Sequence, residues 1–164
     1  MRSEYGVQAP GRGSERHVVT VMGPGRGGDR ERPRSTADDA PQLSGAQARE
    51  QVRDTVLACA ALAGKSPEAV QQRVADAELI CSELVSNARR HGSGLTSFRV
   101  WHERGCVLIE VSDRSAALPV TPGGHRAEPG GFGWALVRKL AASVSVNAHS
   151  DGTGKTITAY LPVR

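Results

Sequence analysis

The stretch Glu78–Gly92, ELICSELVSNARRHG, decides how this chain is interpreted. Its apolar residues recur at helical spacing, which predicts an amphipathic helix. Four of them are expected in the core: Leu79, Ile80, Leu84 and Val85. Glu83 and Asn87 lie one helical turn apart beside this apolar stripe, where a polar group without a partner is costly. These two side chains therefore need a partner, which is either another part of the protein or a ligand.

The segment before this stretch carries the signals of helix ends. Ser44 with Gln47 three residues later forms a capping-box pattern, and apolar residues then recur at helical spacing until Gly64. Ser66 is placed to cap the next helix, with Pro67 at its first position. Two consecutive helices are therefore predicted to open an ordered domain, which we take as residues 41–164.

After Gly92 the apolar period changes from helical spacing to alternation. SFRVWHE and CVLIEVSD, joined by Arg104-Gly105, predict a β-hairpin that ends near Asp113. A Pro- and Gly-rich segment follows and is long enough to be a lid or binding loop. GWALVRKLAASV then predicts a third helix, and VSVNAH with TITAYLPV a second hairpin. The order α-α-β-β-loop-α-β-β predicts an α+β two-layer sandwich, with helices on one face of a mainly antiparallel sheet.

Residues 1–40 differ in composition from the rest of the chain. Seven glycines and three prolines stand there among charged residues, so this part cannot bury enough apolar surface to offset the entropy of ordering it. We therefore predict a disordered tail. The segment RHVVTV leaves one alternative open, because it has the composition of a short strand that pairs with the domain.

Composition excludes several classes of protein. The net charge is +4 with no strongly basic run, which argues against binding to nucleic acid. Three cysteines without a CxxC pair argue against a disulfide framework and a zinc site. No segment approaches the ~20 apolar residues that cross a bilayer, so no membrane association is expected. We expect a cytoplasmic protein with reduced thiols.

Glu83 and Asn87 are consistent with two kinds of chemistry. In one, both rim the core and bond to neighbouring backbone. In the other, they serve a Mg²⁺-nucleotide site, because Mg²⁺ takes only one or two protein oxygens beside phosphates and waters. The Asn87 amide oxygen suits that role, and Glu83 one turn away can orient or deprotonate a nucleophile.

Three further positions allow either a structural or a nucleotide-binding role. Asp113 ends a strand, where it can cap a turn or accept a hydrogen bond from the amine of adenine. The glycines of GGFGWALV, residues 130–137, precede a helix and expose N–H groups suited to phosphate, although no GK[ST] follows them. Thr156 begins the last strand and can add a hydroxyl near a base.

These residues occur in an order that resembles the histidine-kinase-like (GHKL, or Bergerat-fold) ATPase superfamily of sensor kinases and gyrase. ELICSELVSNARRHG resembles its N box, IEVSDRSAALP its G1 box, GGFGWALV its G2 box and GKTITAYLP its closing strand. The chain is most similar to the anti-sigma-factor serine/threonine kinase branch, in its short actinobacterial form. The resemblance covers about residues 43–164 and implies the Bergerat fold.

The resemblance implies a role for each matching residue. Glu83 is expected to be the catalytic base and Asn87 the Mg²⁺ ligand. Asp113 is expected to bind the adenine amine, assisted by Thr156. The loop of residues 120–130 corresponds to the ATP lid. The phosphates are expected at the start of the third helix, on four residues: Gly131, Phe132, Gly133 and Trp134.

The implied activity is phosphorylation of a serine or threonine on an anti-anti-sigma (STAS) protein by ATP with Mg²⁺. Binding of a sigma factor and homodimer formation are implied as well. Two departures keep alternatives open: Ser115 replaces the usual glycine of the G1 box, and Trp134 replaces the usual leucine of the G2 box. The alternatives are an ATP-binding interaction module without useful phosphoryl transfer, and a plain ATPase.

Overall fold

The structure is a computed structural model that describes residues 18–22, 43–119 and 133–163. Over these ranges the elements follow in this order: β1 (Val18–Met22), α1 (Gly45–Ala63), α2 (Pro67–Arg90), β2 (Leu95–Glu103), β3 (Cys106–Asp113), α3 (Gly133–Leu140), β4 (Ser143–Ala148) and β5 (Lys155–Pro162). From α1 onward this is the predicted order, which is confirmed. None of the helices in these ranges is long and apolar enough to cross a membrane.

The strands form one sheet in the order β1-β4-β5-β3-β2. The pairs β2–β3, β3–β5 and β4–β5 are antiparallel, and β1 pairs in parallel with β4. The alternative that RHVVTV forms a short strand paired with the domain is therefore confirmed, and this strand is β1. The remainder of the predicted disordered tail, residues 1–17 and 23–40, lies outside the described residues.

Both helix starts form as the sequence predicts. The Gln47 N–H donates to Ser44 Oγ (3.1 Å), and the Ser44 N–H donates to Gln47 Oε1 (2.8 Å), which completes the capping box. Ser66 caps α2, and Gly64 ends α1 at φ 61°, a left-handed conformation that favours glycine. The short connection between the two caps makes α1 and α2 adjacent, and they pack on each other.

The core lies between the helices and one face of the sheet. On α2 the buried apolar residues include Ile80, Leu84 and Val85, as predicted. Leu79 was predicted among them, and that prediction is wrong, because 46% of its surface is exposed. It lies about 100° around the helix from Ile80, which carries it off the buried stripe.

Strand alternation decides which β3 residues face the helices. Val107, Ile109 and Val111 are almost fully buried in the core. Asp113 lies two residues beyond Val111, so its side chain points to the same face of the sheet. The β2–β3 hairpin turns on Arg104 and Gly105, which have φ of 51° and 74°, as a two-residue turn of this kind requires. The hairpin fixes the register that brings Asp113 to the helix-side face at the end of β3.

Candidate functional site

Glu83 and Asn87 are half-buried on α2. Within the described ranges, neither side chain has a hydrogen-bond partner, whereas other polar side chains on the same helix do. Asp76 accepts from Gln72 Nε2 (2.8 Å) and lies 3.4 Å from Arg73 Nη1, so its partners are protein groups. His91, one turn beyond Asn87, is exposed at the helix end. Among the described residues, no side chain therefore competes with a ligand for Glu83 or Asn87.

Glu83 lies against the first residue of α3. A Cβ added to Gly133 would overlap Glu83 Oε2 and stand 2.8 Å from its Cδ. A side chain at position 133 would therefore have to displace the end of the Glu83 side chain, since real Cβ atoms do not approach other heavy atoms so closely. The structure thus brings together two predicted site residues that are fifty positions apart in the sequence. It also sets a carboxylate beside N–H groups at the positive end of a helix.

Asp113 is 4% exposed and is enclosed by two glycines. A Cβ on Gly92, just after α2, would stand 2.5 Å from both Cβ and Cγ of Asp113. A Cβ on Gly154, just before β5, would overlap the carbonyl oxygen of Asp113. The Arg114 N–H donates to the Gly92 carbonyl (2.8 Å) and ties the end of β3 to the end of α2. The carboxylate is therefore held beside the last turn of the helix that carries Asn87.

A lysine from the neighbouring strand engages Asp113. Lys155 begins β5 directly opposite Asp113, and its Nζ donates to Asp113 Oδ1 (2.9 Å) and to the Ser115 carbonyl (3.0 Å). The Ser115 N–H also donates to Oδ1 (2.9 Å). Both side chains of the ion pair are at most 6% exposed. Each charge therefore depends on the other, because an unpaired ion is costly at such depth.

Ser115 replaces the glycine usual in the G1 box, and the turn forms without left-handed backbone. Ser115 is not among the non-glycine residues with positive φ, which are Ser93 and Arg104 over the described ranges. Its N–H bonds to Asp113 and its carbonyl to Lys155, and its hydroxyl accepts from the Ala117 N–H (3.2 Å). These three bonds fix the turn, so the serine is compatible with it.

Thr156 lies on the other face of the sheet from Asp113. Its hydroxyl is 2.8 Å from Ser112 Oγ and 3.0 Å from His149 Nε2. Successive residues in a strand point to opposite faces, so Lys155 and Thr156 cannot both approach Asp113. The structure thus brings Lys155 to Asp113 and does not bring Thr156 there.

Of the four residues predicted to hold phosphate, the structure describes two, Gly133 and Trp134. Gly133 contacts Glu83, as above, whereas the Trp134 ring is 8% exposed and belongs to the hydrophobic core. The tryptophan side chain therefore packs in the core. Gly131, Phe132 and the predicted lid, residues 120–130, lie outside the described residues.

The donor set suits a nucleotide with a divalent cation. Among the described residues no group of three or more His, Cys, Asp or Glu side chains is arranged to hold a metal ion. A cation here would rely on the Asn87 amide oxygen together with oxygens of the ligand, as Mg²⁺ commonly does. Asp113 supplies an acceptor for an amine, and Gly133 allows close approach to the backbone at the start of α3. The residues present therefore fit ATP with Mg²⁺.

Sequence reasoning missed several residues that shape the site. Lys155 reaches Asp113 through strand register, which sets which side chains meet across the sheet. Gly92 and Gly154 gain their meaning from the side chain of Asp113, which comes from another element. A signal for Lys155 existed in GKTITAYLP, since it stands next to Thr156, but spacing alone did not say which of the two faces Asp113.

Comparison with known protein families gives one match, to the histidine kinase-like ATPase domain, over residues 43–161. The matched range covers most of the chain and includes both parts of the site, the α2 residues and the Asp113–Lys155 pair. A search of curated proteins gives no match.

Proposed function

Since the chain belongs to the histidine kinase-like ATPase domain family of the GHKL superfamily, we propose that it is a serine/threonine kinase. In this proposal it uses ATP to phosphorylate an anti-anti-sigma (STAS) partner and so regulates a sigma factor. Membership of the family makes the chain an ATP-binding GHKL module. The kinase activity and its partners are the proposed part.

The contact between Glu83 and Gly133 carries this proposal. A half-buried carboxylate at the start of α3 stands where phosphates are expected to bind, close enough to act on a hydroxyl presented to them. Glu83 has no described protein partner that would occupy it.

The proposed reaction is in-line transfer of the γ-phosphoryl group of ATP. The hydroxyl oxygen of a partner serine or threonine forms a bond to the γ-phosphorus, and the bond to the bridging oxygen of ADP breaks. The hydroxyl proton passes to Glu83, and ADP leaves with the electron pair of the broken bond. Such transfer depends mainly on positioning and charge neutralisation, which explains why so few catalytic side chains are needed.

The other residues bind and orient. Asn87 would hold Mg²⁺, which neutralises phosphate charge when it is bound. Asp113 would accept a hydrogen bond from the adenine amine, and its burial excludes water from that contact. The assistance of Thr156 at the base stays a prediction. Its hydroxyl bonds to Ser112 and His149 on the face of the sheet opposite Asp113.

The partners follow from the resemblance of ELICSELVSNARRHG and IEVSDRSAALP to the anti-sigma kinase branch. That branch implies a STAS substrate, a sigma factor that is sequestered, and dimer formation. Three functions are separable by experiment: a kinase labels a protein, an ATPase releases phosphate without labelling one, and an interaction module binds ATP and does neither.

The test is incubation of the full chain with Mg²⁺ and γ-³²P-labelled ATP in an extract of the source cells, with Glu83→Ala in parallel. We expect a small protein to be labelled on serine or threonine by the wild type and not by the variant. Labelling that persists in Glu83→Ala would reject this residue as the base. No labelling, with ATP binding intact in calorimetry, would reject the kinase. Release of labelled phosphate would then indicate a plain ATPase, and its absence an interaction module.

A further inference from the structure

Among the described residues, one oxygen of the proposed base-reading carboxylate, Oδ2 of Asp113, receives no hydrogen bond. In the described part of the chain, both hydrogen bonds to the Asp113 carboxylate end on Oδ1, one from Lys155 Nζ and one from the Ser115 N–H. Oδ2 receives neither. A carboxylate that is free to rotate could present either oxygen, but these two donors, from different elements, hold it in one orientation.

Lys155 holds the chain around Asp113 as well as the carboxylate. Its ammonium also binds the Ser115 carbonyl, so the turn after β3 and the start of β5 are joined at one atom. Gly92 and Gly154 close the space on two sides of Asp113. Lys155 thus restrains both the Asp113 carboxylate and the turn that follows it by charge-assisted hydrogen bonds.

Resting on the proposed function, we propose that Lys155 is the positioning residue for base recognition. It fixes Oδ1 of Asp113 so that Oδ2 accepts from the exocyclic amine of adenine. The position next to it, Thr156, does not share this role, because its side chain leaves the other face of the sheet. Recognition of the amine then depends on a residue that does not itself contact the base.

The test compares two nucleotides that differ at one position of the base. Calorimetric titration of the full chain with Mg²⁺-ATP is set beside Mg²⁺-ITP, whose base has a carbonyl where adenine has the amine and an N1–H where adenine has an acceptor nitrogen. We expect the wild type to favour ATP by about tenfold or more, the effect of one hydrogen bond to a charged group. Lys155→Met should weaken ATP by a similar factor and leave ITP nearly unchanged, so the ratio approaches one. Lys65→Met, on the exposed connection between α1 and α2, is the control and should keep the wild-type ratio.

The outcomes separate this inference from the proposed function. A wild type that binds neither nucleotide would reject the proposed function itself. The positioning role alone would be rejected if the wild type favours ATP and Lys155→Met keeps the same ratio of ATP to ITP affinity. An equal loss would mean that Lys155 merely supports the fold.

If the Lys155→Met variant does not fold, the inference can still be tested on the unaltered protein. The chain has three lysines, Lys65, Lys139 and Lys155, so ¹⁵N labelling of lysine gives a simple ammonium spectrum. Lys65 and Lys139 are exposed and Lys155 is buried in its ion pair, so the signal of Lys155 should be the one protected from exchange with water. We expect that signal to move on saturation with ATP and to move less with ITP. A signal that does not move with ATP would overturn the inference.

Discussion

The carboxylate of Glu83 lies so close to Gly133 that a side chain on residue 133 would displace it. An added Cβ would stand 2.8 Å from Cδ of Glu83 and overlap one of its oxygens. The helix that bears the proposed base and the helix start that would face phosphate are thus in direct contact. The Glu83 carboxylate can therefore keep this position only while residue 133 is a glycine.

Gly133→Ala should therefore impair catalysis while the protein still folds. The new methyl group displaces the Glu83 carboxylate, and a misplacement of about 1 Å can cost on the order of 100-fold in rate. Turnover of ATP is the measurement, with thermal melting to verify the fold. Gly45→Ala is the matched control, because a Cβ there meets only the Arg49 guanidinium at an ordinary 3.6 Å. Equal activity in both variants would contradict the inferred geometry.

Glu83→Gln should keep ATP binding and lose phosphoryl transfer. The amide has the size of the carboxylate but cannot take a proton, and a general base typically contributes about 10²–10⁴-fold. Calorimetry measures binding, and labelling of the partner measures transfer. Glu78→Gln, on the same helix, removes only an ion pair with Arg53 at the surface and should leave transfer intact. A rate loss in Glu78→Gln of the same size would point to a general effect on α2.

Asp113→Asn should lower both ATP affinity and stability. It leaves the ammonium of Lys155 buried without a counter-charge, and breaking a buried pair in this way costs roughly 3–5 kcal/mol. Denaturant unfolding measures the stability, and calorimetry the affinity. Asp76→Asn removes another buried carboxylate, one that bonds to Gln72 and Arg73 outside the site. That control should lose stability and keep ATP affinity.

Removing residues 1–22 should destabilise the domain, although the tail is mostly polar. Truncation deletes β1 and leaves β4 as an unpaired edge of the sheet. We expect a loss of at least ~1 kcal/mol, about the net value of a single hydrogen bond, seen as a lower melting temperature. A chain that lacks residues 1–16 retains β1 and should melt like the full chain. Identical melting of both truncated chains would mean that β1 contributes nothing.

The thiols should differ in reactivity and in their effect on stability at alkaline pH. Burial raises the pKa of Cys81 to about 12 and also raises that of Cys59, whereas Cys106 is only half-buried. An Ellman assay near pH 8 on the native chain should therefore modify Cys106 first. Because the folded pKa of Cys81 lies above the unfolded value of 9.0, the folded state holds the proton longer, and stability should fall as the pH rises from about 9 toward 12. Cys81→Ala should reduce that slope, and an unchanged slope would contradict the assignment.

The sequence by itself determined the order of elements and supplied the candidate site residues. Helical caps at Ser44 and Ser66 and the change of period after Gly92 are local signals, and the structure confirms the α+β sandwich that they predict. Glu83, Asn87 and Asp113 were recognisable because each stands at a fixed offset in a motif. The exposed position of Leu79 shows the limit of such reasoning, since a helical stripe read from spacing is uncertain by one residue at its edge.

Tertiary structure alone decided which side chains meet. Thr156 and Lys155 are neighbours in the sequence, yet strand alternation sends one to Ser112 and His149 and the other to Asp113. Which of the two faces the site depends on the register of β5 against β3. The sequence shows the chemical groups in each strand, but the pairing between strands sets their face and partner, because a shift of one residue would exchange the two faces.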